Sequence, residues 1–229
     1  MSRSLEAMVE QQALRWQLVR GQRPQDERRP VVTVSRQHGA GGGEVVRRLA
    51  EELRLDVFDR EIIRRIAEST HLSERVVSTL DEHSRAWLSD WLEGLASREF
   101  LSDAEYRSQL ARVVGTIAQH GGAIVVGHGA HLVLGEGLAL RVRLIAPLES
   151  RIAAVMKRKG IGEREARHQV QAIEAGRRAF VMQHFHADLE DDTRFDLVLN
   201  TARLGVTGCV AVVRSAVEHC FAALAIPAH

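Results

Sequence analysis

Residues 31–53 read VVTVSRQHGAGGGEVVRRLAEEL, and this stretch decides the fold. Val31 to Ser35 is a short β-branched run that suits a buried strand. Farther on, Val45, Val46, Leu49, Ala50 and Leu53 share one helical face, while Arg47, Arg48, Glu51 and Glu52 share the other. Between strand and helix lie Gly39, Gly41, Gly42 and Gly43, four glycines in five positions. Without Cβ atoms, such a loop bends freely and brings its N–H groups close to an anion. The helix that follows adds free N–H groups and the positive end of its dipole. Phosphate is the ligand that best fits this arrangement, and a plain flexible turn is the alternative. The expected phosphate cradle is Gly39, Ala40, Gly41, Gly42, Gly43 and Glu44.

The loop departs from the standard spacing GxxxxGK[ST]. If Gly41 takes the second glycine, Arg36 stands at the first, Gly42 at the lysine and Gly43 at the hydroxyl residue. The phosphate-bridging ammonium and the magnesium-holding hydroxyl are both missing. Another cation must then offset charge on a transferred phosphoryl group. Arg36 and the arginines of later helices are the candidates. Glu44 is the candidate for holding magnesium through water, and the strand AIVVG offers no acidic residue.

The rest of the chain repeats the alternation. LDVFD (55–59), GGAIVVG (121–127), RVRLIA (141–146) and FDLVLN (195–200) read as strands. Residues 60–120 read as helices with apolar stripes, among them Trp87, Leu88, Trp91, Leu92 and Leu95, which fit a core. Helices are expected from Leu148 to Lys159 and from Glu163 to His184, parted by Gly160 and Gly162, and another closes the chain. Strands alternating with helices imply a parallel sheet covered on both faces, with ligands at the carboxyl ends of the strands.

Residues 1–30 are expected to form an N-terminal helix and a linker rich in Pro and charge, with a poorly ordered tail as the alternative; residues 31–229 are the domain proper. With 31 basic and 30 acidic residues, the balance argues against a generic nucleic-acid or membrane-surface role. MSRSLEAMVEQQ lacks the apolar region of a signal peptide, and no apolar run is read as membrane-spanning. Cys209 and Cys220 fall on one helix about three turns apart, too far to bridge, which suits a reducing, cytoplasmic compartment.

Five segments in order, TVSRQHGAGGGEVVRRLAEEL, LDVFDREII, AIVVGHGAHLVL, LIAPLESRI and FDLVLNT, resemble the cytidylate kinase-like family over about residues 31–220. That family typically carries the same lysine-poor glycine loop. The resemblance implies a three-layer α/β/α P-loop fold with a five-stranded parallel sheet, a helical monophosphate-binding insertion and a helical lid. It implies ATP and Mg2+ as cofactors and nucleotides as substrates. Asp59 and Arg60 would open the monophosphate lobe. His128, in Gly127-His128-Gly129, stands where related kinases carry an arginine that touches the acceptor; a surface histidine is the other reading.

The basic stretch 151–186 would be the lid, hinging at Gly160 and Gly162, its guanidinium groups closing over the transferred phosphoryl group. Glu174-Ala175-Gly176-Arg177 is the nearest match to the D-x-x-R pattern of cytidylate kinases. Arg36, Arg177 and Arg178 are the expected catalytic residues; Asp59, Arg60, His128, Glu174 and Arg151 are expected on the substrate side. An exposed helix face is the competing reading of the lid arginines. No metal site is assigned to protein ligands, and His184, His186 and Asp188 are read as a turn in preference to a zinc site.

The sequence reading is therefore an ATP-dependent kinase for a nucleoside monophosphate such as CMP or dCMP. Its alternatives are a non-catalytic nucleotide-binding regulatory module and a kinase for another small acceptor. The N-terminal helix is a possible homo-oligomer contact.

Overall fold

Hydrophobic strands of four to six residues build the centre of the molecule. In the computed structural model, which describes residues 5–20, 29–96, 104–135 and 137–222, β1 (Val31–Arg36) runs between β3 (Ala123–Val126) and β4 (Leu140–Ile145). The edges are β2 (Asp56–Phe58) and β5 (Leu197–Asn200), so the order is β2-β3-β1-β4-β5 and every pairing is parallel. Register places Val31 opposite Ala123 and Val34 opposite Val126, with Arg36 opposite Leu144. Because side chains alternate across a strand, β1 feeds two cores.

On one face, Val32, Val34, Ile124, Val126 and Val142 pack against α2 (Gly42–Leu53) and the closing helix α10 (Thr201–Ala222). On the other, Val31, Ala123 and Val125 meet the helices that follow β2 and β3. These are α3 (Arg60–Ala67), α4 (Thr70–Val77), α5 (Glu82–Ala96), α6 (Ala104–His120) and α7 (Ala130–Leu134). The expected stripe on α5 behaves as core: Leu88 is buried, Trp91, Leu92 and Leu95 pack against the core on this face, and Trp87 stacks on Trp91 with centroids 5.6 Å apart. A smaller core of Ile152, Val155, Ala166 and Val170 joins α8 (Leu148–Lys159) to α9 (Glu163–Phe185). Gly160, left-handed at φ 66°, ends α8 between them.

The N-terminal helix α1 (Leu5–Arg20) lies on the second core rather than apart from it. Val9 and Trp16 are buried there, and the Trp16 ring stacks on His120 at 4.2 Å. Gln12 and Arg15 both donate to the Asp56 carboxylate at 3.0 Å. The charged linker lies outside the described residues.

The sequence reading of apolar runs needs one correction. Thr201–Phe221 is long and apolar enough to cross a membrane by length and composition, with a mean hydropathy of 1.3. A break in the backbone at Gly205 divides this helix, and Cys209, Val210, Val213 and Val217 are buried on the sheet. The apolar composition serves a covering helix.

Candidate active site

In an open parallel sheet, ligands bind where neighbouring strands send their helices to opposite faces. Here that point lies between β1 and β3, since α2 covers one face and α7 the other. Ser35 and Arg36 end one strand, and Gly127-His128-Gly129 follows the other. With His131, Arg177, Phe180, Val181 and Leu189 they line a cleft of about 570 Å³, open mouth included.

Gln37 shapes the glycine loop. Its N–H donates to Leu144 O (2.9 Å), its side-chain carbonyl accepts from Ala146 N (3.0 Å), and its backbone carbonyl accepts from Ala40 N (3.2 Å). Gly39 has φ 86°, and a Cβ there would stand 2.5 Å from the Arg151 carbonyl oxygen. Gly41 caps α2 at φ 71° with no side-chain hydrogen bond. Among the described residues no acceptor meets the N–H groups of Gly39, Gly41, Gly42 or Gly43. Unpartnered donors gathered before and at a helix start are an arrangement that can take an anion. Glu44 does not face it as a free carboxylate: Arg47 at 2.6 Å and Arg48 at 3.1 Å donate to it, and these bonds hold its carboxyl down at about 2.

The arginines divide sharply. Arg36 makes no ion pair among the described residues; burial and the nearby Arg177 guanidinium lower its pKa, and Asp59 opposes them. Arg177 donates to the Arg36 carbonyl at 2.6 Å and to Glu174 at 3.0 Å. Glu174 is buried and also accepts from the His38 N–H at 2.7 Å, so the lid helix is tied to the glycine loop. Arg151 is buried too: its Nε donates to Ala146 O at 3.0 Å, and its Nη1 lies buried without a partner. Arg178 pairs with Glu190 at 3.5 Å and is not among the residues that line this cleft. One residue along a helix turns a side chain by about 100°, enough to separate it from Arg177.

His128 is buried rather than on the surface, and it lines the cleft. Its φ is 54°, its Nδ1 lies 3.3 Å from the Tyr106 hydroxyl, and Phe180 meets its ring edge-on at 5.5 Å. His131 stacks on Phe195 at 4.4 Å; burial first, then Arg141, Arg143 and Arg194, push it down to about 3. Burial, then Arg177 and Arg158, lower His38 as well, with Glu174 opposing. Asp59 caps α3 by accepting from Glu61 N and Ile62 N. The Arg60 side chain lies outside the described residues. His184 packs on Phe180 and Tyr106, and His186 is the left-handed cap of α9.

The donor set tests the magnesium expectation. Gly43 stands at the hydroxyl position, Glu44 is held by its own helix, and no cluster of three metal-ligating side chains exists among the described residues. The loop therefore offers no ligand set of its own for the metal.

Sequence reasoning did not single out Val126, His131, Phe180, Val181 or Leu189, which line the cleft. A signal for part of this was present: Ala166, Val170, Glu174, Val181 and Phe185, all buried on α9, recur at helical spacing. That stripe turns Glu174, and Arg177 beside it, inward.

The chain is 28% identical over 185 residues to the cytidylate kinase of Ignicoccus hospitalis, covering 80% of this chain and 96% of that one. It is 28% identical over 192 residues to the cytidylate kinase of Natronomonas pharaonis, covering 82% and 89%. The crystal structure of an uncharacterized protein from Eubacterium ventriosum shares the fold with a TM-score of 0.65 at 13% identity, over 83% of this chain and 99% of that one. Residues 31–203, most of the chain, match the cytidylate kinase-like family, and the chain belongs to that family.

Proposed function

We propose that this chain is an ATP-dependent nucleoside monophosphate kinase with cytidine monophosphate as acceptor. One observation carries the reading: four unpartnered loop amides open beside a cleft that holds Arg36 and Arg177. Cytidylate kinases among the relatives support the acceptor.

The reaction needs no covalent intermediate. An oxygen of the acceptor's phosphate attacks the γ-phosphorus of ATP. The bond from that phosphorus to the β–γ bridging oxygen breaks, its electron pair stays on the ADP product, and a new P–O bond forms. A dianionic acceptor phosphate has no proton to lose. The chain contributes position and charge. Loop amides hold the donor phosphates, and arginine offsets charge spread over the transferred oxygens. The ring wall of His128 and Phe180 suits the flat face of a base. Magnesium is expected as the counter-ion of the triphosphate. The two unbridged cysteines fit a cytoplasmic setting.

The test is ADP release with ATP, magnesium and a panel of monophosphates. We expect turnover with CMP or dCMP, and a loss of about 100-fold in Arg177→Ala, the usual scale for a deleted charge stabiliser. Tight ATP binding with no turnover on any acceptor would instead favour a nucleotide-binding module.

A further inference from the structure

Position 42 holds lysine in a phosphate loop of standard spacing and glycine here. The packing shows what excludes a side chain. A Cβ on Gly42 would lie 2.8 Å from Arg36 Cδ, 2.9 Å from Arg36 Cβ and 3.3 Å from Leu144 Cδ1. At Gly43, the next residue, the same atom would meet nothing within 4 Å. The space beside Gly42 is thus filled by the aliphatic stem of an arginine at the end of β1. Real Cβ atoms do not approach this closely, so a side chain at 42 and an arginine at 36 compete for one volume.

Most other cations near the loop are tied to protein acceptors, although Arg151 keeps a buried Nη1 without a partner and Arg158 lies close enough to lower His38. Arg177 bonds the Arg36 carbonyl and Glu174, Arg151 bonds Ala146 O, Arg178 faces Glu190, and Arg47 and Arg48 hold Glu44. Arg36 has no ion pair among the described residues, and it lines the cleft. A half-buried guanidinium beside a second one is stabilised by an anion between them.

We infer that Arg36 is the loop's lysine moved to a new backbone position: it supplies the cation for the β- and γ-phosphates of the triphosphate, and Gly42 is glycine because the Arg36 stem crosses it. The inference rests on the kinase reading. It adds which residue neutralises the charge that builds as the β–γ bridging bond breaks. It also makes positions 36 and 42 a compensated pair. Arginine holds two phosphate oxygens in a planar fork where lysine offers a point charge.

Variants at positions 36 and 42, alone and combined, test it. Arg36→Met keeps the stem and removes the charge; it should melt within a few degrees of wild type and lose about 100-fold in turnover, with weaker ATP binding by calorimetry. Gly42→Ala should lower the melting temperature in the wild type and cost less in an Arg36→Gly background, where only Leu144 Cδ1 at 3.3 Å remains and alanine favours helix. The double variant Arg36→Gly with Gly42→Lys restores the standard placement and should regain about 10-fold or more over Arg36→Gly alone. Turnover by Arg36→Met within about threefold of wild type overturns the inference while the kinase reading stands. Equal cost of Gly42→Ala in both backgrounds overturns it independently of activity. A folded double variant no faster than Arg36→Gly does so too. A wild type that binds no ATP removes the kinase reading and this inference together, and the melting data then still report whether the two positions share space.

Discussion

The turns that follow β1 and β3 lie side by side at the same edge of the sheet, and both run through left-handed backbone. Gly39 and Gly41 serve the first at φ 86° and 71°; Gly127, His128 and Gly129 serve the second at 80°, 54° and 67°. They differ in what presses on them. Gly39 faces backbone, with the Arg151 carbonyl oxygen 2.5 Å from where a Cβ would stand. Gly129 faces the Phe185 ring, whose nearest carbon would be 2.5 Å away. A carbonyl in the first turn of α8 cannot step aside, whereas a ring at the end of α9 has rotamers to use. On the proposed kinase reading, the β1 turn is the backbone-held side, suited to phosphates of constant shape. The β3 turn is lined by rings and carries a histidine, which suits an acceptor that must be told from others.

The comparison can be broken in graded steps. Gly39→Ala should have the largest effect, a loss of roughly 3 kcal/mol or more in urea unfolding together with loss of ATP binding, since strain and a backbone clash add. If Gly39→Ala melts like the wild type, the loop is not held against α8.

His131, on α7 just past the second turn, should give the next largest effect, and it depends on pH. Its folded pKa, about 3, lies below the ordinary histidine value near 6.5. The unfolded chain therefore binds the extra proton. Stability is fully present above about pH 6.5 and is lost as pH falls toward the folded value, by about 2 kcal/mol between pH 6.5 and 5. His131→Phe keeps the stack on Phe195 and should remove that part of the acid slope. Denaturant titrations of both proteins at pH 7 and 5 measure the difference; parallel slopes would contradict it.

Gly129→Ala should cost less than Gly39→Ala, about 1–2 kcal/mol, because the opposing ring can turn while the left-handed strain remains. Equal costs would erase the distinction between the turns. The smallest expected change is in His128→Gly. It relieves a left-handed histidine, so stability should move by less than about 1 kcal/mol while KM for CMP rises and KM for ATP stays. A change in KM for ATP alone would place His128 on the donor side.

Much of this molecule was legible in residue order. Val31–Arg36, the glycines after it and the amphipathic α2 carried the fold, because strand and helix periods are local properties of the chain. The strands fell within a few residues of their expected bounds, and α8 and α9 lay almost where Gly160 and Gly162 divide them. Arg36 and Arg177 were legible as cations without their surroundings.

What residue order determined was composition of place: a parallel sheet, a glycine cradle at its centre and arginines somewhere above it. Only tertiary structure decided that Arg177 enters the cleft while Arg178 pairs with Glu190, that His128 is buried against Tyr106 and Phe180, and that α1 closes on Trp16 and His120. The reason is the range of the forces. Periodicity and glycine geometry act within a turn or two, whereas these contacts join groups 12 to 141 residues apart, and burial and charge compensation are settled only when those groups meet.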